Sequence, residues 1–560
     1  MKKSVVVLSG GTVVIAVVLL CRLMTLSMFP LIEPSEARYA AIGARMAFSR
    51  DFVVPWIWVD GCLVPFLGKP PLFFWMEAAS VRAFGVNEFA ARLPCFLCAA
   101  LVIGTIVFLL RGVTERRVPV LAGVMTAASV LFLAMSGTVA VDMTLTLGVT
   151  LAFCAWFRWL KAESRGGMYG WSLLVFAGLA VAVLAKGLIG IVLFGAPVFL
   201  WHLLFGGWKR VFTRHALAGG GVLFAALVLP WFFLIQSAMQ DYDSSFNFFH
   251  YFFVEEHVNR FLSKEYTDLY GTGRVQPRGM SVLFMFAAAF PWSVIPLWRV
   301  FRRGGRKMQW TAFRTRPDEM FFLLAWVFPV LFFAFARQIL ITYLLPAVPA
   351  FGIWLAMVRA RRDGEDKDAV IYRTAIGITL SVTLLVAALH PLFPDLFAKM
   401  NTKRIIEQTL HETPDAEIVV SYKGRFYSPY FYAYHHLYNG AHPDVCLIKS
   451  NQDTFFPMPC AQQMPTRISG DRMRDLKTYA NTVTGANVRV VIRTENFDAF
   501  LPEADPRGFS GIQFFRFVPA GDRLRLETCS PADADYERLR TEGIFSVLRP
   551  VPQTAAQQEK

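Results

Sequence analysis

The chain has 560 residues, 55% of them hydrophobic and 17% charged, with 52 phenylalanines. That composition excludes an ordinary soluble domain and leaves room for roughly ten or more membrane spans of about 20 residues, plus one soluble domain. The formal net charge of +15 does not indicate a nucleic-acid partner, because the Lys and Arg residues sit in short clusters between apolar runs, which is the positive-inside signature.

Lys2 and Lys3 precede the run VVVLSGGTVVIAVVLLCRLMTL. It is too long for a signal peptide, no small-residue cleavage site follows, and Leu20 does not suit a lipoprotein cleavage before Cys21, so an uncleaved span with its N-terminus inside is expected. The next stretch, 31–71, is then outside. It carries Glu33, Glu36, Arg38, Asp51, Asp60 and Lys69. Residues 71–84 form a short apolar helix whose Phe73, Phe74 and Trp75 suit the headgroup level. An inward span over 92–110 stops at Arg111, Arg116 and Arg117. Residues 119–136 go out, and the turn at Asp142 is outside. The return passes Trp156 to Arg158, Lys161 and Arg165. Residues 171–185 go out, 187–204 come in to Lys209, Arg210 and Arg214, and 217–235 go out. A polar outer loop covers 236–278. Residues 280–297 come in to the basic run from Arg299 to Arg316, 320–336 go out to Arg337, 339–358 come in to Arg359, Arg361 and Arg362, and 370–389 leave for the last time. The tally is about eleven spans, with every dense Lys/Arg cluster between spans on the inside.

Beyond residue 394 the apolar runs shorten. EIVVSY (417–422), VRVVIR (488–493) and IQFFRFV (512–518) read as strands, with a helical stretch at 471–482. The expected fold class is an α-helical polytopic membrane protein with a small C-terminal α/β extracytoplasmic domain. Its division is a membrane domain over 1–393, with outer loops 30–91 and 236–278, and a soluble domain over 394–560. The eight cysteines form no metal-binding pattern. A disulfide between Cys446 and Cys460 is open if that domain is extracytoplasmic.

Four outer features carry charge without a structural need for it. Glu33 and Glu36 share a helix face and read either as general-base carboxylates raised by partial burial or as caps and salt bridges of the loop helix. Lys69, between Gly68 and Pro70, reads as a lipid-phosphate contact or as ordinary snorkelling to the headgroups. Asp142 faces a polar cavity or caps a span. In FNFFHYFFVEEHVNRF, Phe249, Phe252 and Phe253 share a helical face, with His257 and Arg260 as neighbours. This is either a polyprenyl-phosphate clamp or a plain amphipathic surface helix. His250 and His257, seven apart, do not make a zinc pair. Lys186, Arg337, Gln338, Thr342 and Tyr343 are expected at outer span ends.

PSEARYAAIGARM, FLGKPPLFFW, LAKGLIGI, HYFFVEEHVNRF and ITYLLPAVPA occur in this order over about 31–350. In order and spacing they resemble the bacterial membrane glycosyltransferases of the aminoarabinose-transferase type, relatives of the protein mannosyltransferases. The resemblance implies a GT-C fold and an undecaprenyl-phosphate-linked sugar donor. It implies transfer at the periplasmic face of the bacterial inner membrane to a lipid A-type glycolipid, with a protein hydroxyl as the alternative acceptor. Neither nucleic acid nor a cofactor is implied, and no residue cluster calls for a metal ion. Carried onto this sequence, Lys69, His257, Arg260, Tyr343, Arg337 and Arg38 approach the donor phosphate, and Asp142 is the second outer acid. The family commonly has Asp-Glu before x-Arg-Tyr, with the Asp as the catalytic acid; here that position is Ser35, so the acid role passes to Glu36 or Glu33. The usual acid before the lysine is likewise Gly68. A transporter of lipid-linked sugars is the reading from another class, and the lack of internal repeats argues against it.

Overall fold

The structure is a computed structural model that describes residues 2–59, 62–208, 214–242, 244–259, 276–302, 315–336, 338–392, 402–403, 406–407, 411, 417–422, 427–432, 446–449, 488–493, 513–520, 523–529, 536–542 and 545–550. It is a multi-pass helical bundle. Among the described residues, six helices are long and apolar enough to cross a membrane. They are α4 (Glu88–Leu109), α7 (Val141–Lys161), α8 (Arg165–Lys186), α10 (Arg214–Tyr242), α13 (Pro317–Ala334) and α15 (Asp368–Leu392). Other helices fill the gaps: α1 (Lys2–Met24), α5 (Val118–Ala127), α9 (Ile189–Phe205) and α14 (Ala347–Arg362). Their outer faces carry exposed Leu101, Phe108, Phe233, Leu331 and Leu384, as lipid-facing surfaces do.

Two expected spans are broken rather than continuous. Residues 119–136 form α5 and then α6 (Val130–Met135), and at the break the Ser129 hydroxyl donates to the Met125 carbonyl at 2.8 Å. Residues 280–297 form α11 (Met280–Ala288) and the start of α12 (Val294–Arg302). Here Pro291 has no N–H to give, and the Ser293 hydroxyl donates to the Phe286 carbonyl at 2.7 Å. The two breaks meet where Val130 N–H donates to Phe290 C=O at 3.0 Å. Hydropathy does not register such breaks, because each hydroxyl satisfies a carbonyl locally.

The ion pairs sort to two ends, and the alternation read from the sequence explains the sorting. Arg117 pairs with Asp368 at 3.2 Å, Lys161 with Asp318 at 2.7 Å and Arg361 with Glu319 at 2.5 Å. All three basic residues belong to clusters expected inside. At the other end lie Arg92–Glu36, Lys69–Glu256, Lys186–Asp142 and Lys403–Glu88. That end also holds α2 (Ser35–Ser49), α3 (Leu72–Phe84) and a two-stranded hairpin of β1 (Trp56–Val59) and β2 (Cys62–Pro65).

Helices α7 and α8 form an antiparallel hairpin with backbone touching backbone. A Cβ on Gly148 would lie 2.5 Å from Ala182 N, and one on Gly178 would lie 2.8 Å from Gly148 O. Small residues allow this approach, as they do between helices in lipid. The crossing fixes the register that delivers the first turn of α7 beside the last turn of α8.

After α15 come seven strands in one sheet, β3 (Glu417–Tyr422), β4 (Cys446–Lys449), β5 (Val488–Arg493), β6 (Gln513–Ala520), β7 (Arg523–Cys529), β8 (Tyr536–Glu542) and β9 (Phe545–Pro550). Their order is β4-β3-β5-β9-β8-β6-β7. The β3 strand runs parallel to β4 and β5, and the remaining pairs are antiparallel. All three strand readings fall on strands. The helical stretch 471–482, Cys460 and therefore the Cys446–Cys460 pairing lie outside the described residues.

Candidate functional site

Asp142 sits in the first turn of α7 and is 7% exposed. It does not cap its helix, whose N-cap is Ala140 with no side-chain bond. Its Oδ1 lies 2.5 Å from Lys186 Nζ at the end of α8, and that ammonium stands 4.1 Å from the centroid of the Tyr343 ring. Tyr343 enters from a 3-10 turn, Ile341–Leu344. A lysine held between a carboxylate and an aromatic face keeps its charge and its position.

Gly187 then turns the chain with φ +81, and a Cβ there would lie 2.5 Å from His257 Nε2. His257 comes from a π-helical segment, Tyr251–Asn259. The sequence reading expected ordinary helical neighbours, but the i→i+5 spacing pairs different residues. Tyr251 hydroxyl donates to Glu256 Oε1 at 3.4 Å, and His257 Nδ1 meets Phe252 O at 2.6 Å. His257 Nε2 accepts from Leu188 N–H at 3.2 Å. Both ring nitrogens are engaged by main chain. Burial, with the Lys69 charge adding to it, holds the imidazole below its ordinary pKa. His257 is thus a neutral pin between the segment and the α8–α9 turn. Phe249 and Phe253 stack on Phe232 of α10, and Phe248 and Phe252 are buried beneath.

Lys69 Nζ lies 3.6 Å from Glu256 Oε2, with the lysine side chain 14% and the glutamate 1% exposed. It also donates to the Gly68 carbonyl. The acid absent from position 68 is thereby supplied from another element. Arg260 and Arg337 lie outside the described residues.

The two opening-loop acids are committed elsewhere. Arg92, fully buried on α4, donates Nε to Glu36 Oε1 at 2.9 Å and Nη2 to Oε2 at 3.0 Å. Its remaining N–H groups go to the carbonyls of Leu26, Phe29 and Pro30 at 2.8, 2.7 and 3.0 Å. Glu36 accepts two further bonds, from Ile32 N–H at 2.9 Å and Val139 N–H at 3.1 Å. All five guanidinium donors are used and the carboxylate accepts four bonds, so Glu36 has no lone pair well placed for an acceptor. Glu33 Oε1 accepts from Tyr427 N–H at 2.8 Å and Ser428 N–H at 2.5 Å, while Oε2 is buried without a hydrogen-bond partner among the described residues. Burial raises this carboxyl to about 8 against the pull of those bonds and of Arg38. In this geometry both carboxylates are engaged by buried partners. Their alternative reading, salt bridge and cap, is the one the geometry matches.

Arg38 is 7% exposed among the rings of Tyr39, Phe66 and Tyr427, at 5.2, 5.6 and 5.8 Å. Sequence reasoning missed Arg92, Glu256 and Tyr427, whose partners lie far off in the chain. It also missed Glu77, which is buried to 0% on α3, packed under Gly43 with neither carboxyl oxygen hydrogen-bonded. Burial, with the Glu36 charge adding to it, pushes the Glu77 carboxyl well above the ordinary range. A polar residue in the apolar FFWMEAAS was the available signal.

Residues 68–233 match the family model described as dolichyl-phosphate-mannose-protein mannosyltransferase. The chain is 28% identical over 359 residues to an undecaprenyl phosphate-alpha-4-amino-4-deoxy-L-arabinose arabinosyl transferase of Enterobacter sp. (strain 638), covering 63% of this chain and 58% of that protein. It is 27% identical to the protein of the same name from Erwinia tasmaniensis, covering 69% and 66%. The match thus spans about six-tenths of these relatives' length. The crystal structure of ArnT from Cupriavidus metallidurans bound to undecaprenyl phosphate superposes with a TM-score of 0.68 at 20% identity, covering 93% of this chain and 98% of that one. Its apo state gives 0.67. The resemblance carried by the five motifs therefore holds at the level of fold: the chain shares the fold of the ArnT structure.

Proposed function

We propose that the protein moves a sugar from an undecaprenyl-phosphate-linked donor to a phosphate-bearing glycolipid of the lipid A type. In this proposal the site end and the sheet beyond residue 394 face the periplasm of a bacterial inner membrane, with about eleven passes. The observation that carries the reading is the pair of partly buried ammonium groups, Lys69 and Lys186, each backed by a carboxylate at one end of a fold shared with a polyprenyl-phosphate-bound structure.

The bond between the sugar C1 and the donor phosphate oxygen breaks, the polyprenyl phosphate leaves with the electron pair, and an acceptor oxygen bonds to C1. Lys69 and Lys186 meet the charge developing on the leaving phosphate, and Arg38, Arg260 and Arg337 are assigned to the same charge. Preorganised cations of this kind contribute about 10²–10³ in rate each. Glu256 and Asp142 keep the two lysines charged and placed, Tyr343 fixes Lys186, and His257 holds the segment that brings Glu256. An acceptor phosphate is already anionic and needs no base. The commitment of Glu33 and Glu36 supports such an acceptor over a protein hydroxyl, the second reading, which the mannosyltransferase match favours.

Mass spectrometry of lipid A from a deletion strain tests this. Loss of one glycosyl substituent is expected, restored by the wild type and not by Lys69→Ala at equal membrane abundance. Unchanged lipid A with a lost protein glycan would establish the second reading instead.

A further inference from the structure

We propose that Tyr427 is a positioning residue of the transfer site, setting the Arg38 guanidinium, so that the site is complete only when the segment 427–432 is docked. The inference rests on the reading of Arg38 as a donor contact. Three rings surround this nearly buried cation. Tyr39 and Phe66 belong to the opening stretch itself and pack edge-on at 6.1 Å. Tyr427, 2% exposed, arrives from beyond the last membrane helix and presents its ring 5.8 Å from Arg38 Cζ. Ring faces attract a desolvated guanidinium and restrict its orientation.

The segment that brings this ring is bolted down at both edges of the opening stretch. Glu33 receives the N–H groups of Tyr427 and Ser428. Tyr432 hydroxyl accepts from Leu31 N–H at 2.7 Å and donates to Glu88 Oε1 at 3.1 Å. Glu88 also binds Lys403 at 2.5 Å, and Thr402 N–H donates to Ser428 Oγ at 3.1 Å. The Glu33 bonds hold main-chain atoms of 427 and 428, so the Tyr427 ring is placed by a fixed backbone. A plain connector to the strands would need none of them.

The test is a donor titration with full-length protein and a polyprenyl-phosphate-linked sugar. Tyr427→Met, which fills the space without a π face, should raise the donor KM roughly 3- to 30-fold, the range of one cation–π contact, with kcat within about twofold. Tyr427→Phe should rescue it. Arg38→Gln should raise KM further, and the Arg38→Gln/Tyr427→Met double variant should be no worse than Arg38→Gln alone, since the ring acts through the guanidinium. Additive losses, or an unchanged KM in Tyr427→Met, overturn the proposal. Tyr427→Leu serves if the Met variant does not accumulate. If neither accumulates while Tyr427→Phe does, the ring's role is stability and the proposal fails. A wild-type KM in Arg38→Gln instead overturns the reading of Arg38 beneath it, whatever Tyr427 does.

Discussion

Two charged arrangements share one end of the bundle and are built on opposite plans. In the first, Arg92 and Glu36, a planar fork meets a carboxylate, every guanidinium N–H has an acceptor, and the rest of the fork ties down carbonyls at 26, 29 and 30. In the second, Lys69 and Lys186 each present a compact ammonium to one carboxylate oxygen, in side chains 14% and 12% exposed. The fork is a knot in the loop, whereas a flexible ammonium exchanges partners at little geometric cost. Rigidity and reactivity are thus assigned to different residue types less than one helix apart, and charge alone does not reveal which is which.

Breaking the knot should have the largest effect. Arg92→Leu leaves the Glu36 carboxylate buried without its cation and should cost about 3–5 kcal/mol, seen as loss of folded protein in a thermal melt. Glu36→Gln keeps the shape and should lower the melting temperature while retaining transfer. A Glu36→Gln protein that melts normally but is inactive would reverse the comparison and return the acid role to Glu36. Of intermediate size, Gly187→Ala places a methyl on His257 Nε2 at a positive φ, at a cost of about 1–3 kcal/mol. Transfer should fall with it, because the pin that brings Glu256 to Lys69 is lost. A Gly187→Ala enzyme with wild-type turnover would detach the lysine pair from that pin.

The remaining prediction is a pH dependence. The folded carboxyl of Glu33 sits at about 8 against an ordinary 4.5. Its contribution to stability is therefore fully present below about pH 4.5 and is lost as pH rises towards 8. Glu33→Gln retains an acceptor for Tyr427 and Ser428 and should flatten that part of the melting-temperature profile. A slope unchanged by Glu33→Gln would assign it to another group.

The helical character, the sorting of basic clusters to one end and the strands at 417–422 and 488–493 were legible because they are local or periodic properties. The broken passages at Ser129 and Pro291 were not, since a hydroxyl bonding back to a carbonyl leaves hydropathy unchanged. Lys69, Asp142 and Tyr343 were legible as polar residues at predicted outer ends, and the structure brings Asp142 and Tyr343 to one ammonium. What Glu33 and Glu36 do was not legible. Their partners Tyr427 and Arg92 lie 394 and 56 residues away, and no spacing rule reaches that far. The π-helical spacing at Tyr251–Asn259 hid Glu256 in the same manner, because reading the stretch as an α-helix points its carboxylate elsewhere.

The contact of Gly148 with Gly178 works as a gauge block for the site. From that crossing to Asp142 is about 9 Å along α7, and to Lys186 about 12 Å along α8, at about 1.5 Å per residue. The separation of carboxylate and ammonium is therefore referenced to a backbone contact with almost no tolerance, rather than to side chains that change rotamer. Loops at that end are free to diverge without recalibrating the pair, whereas a single added methyl at the crossing would shift both jaws at once.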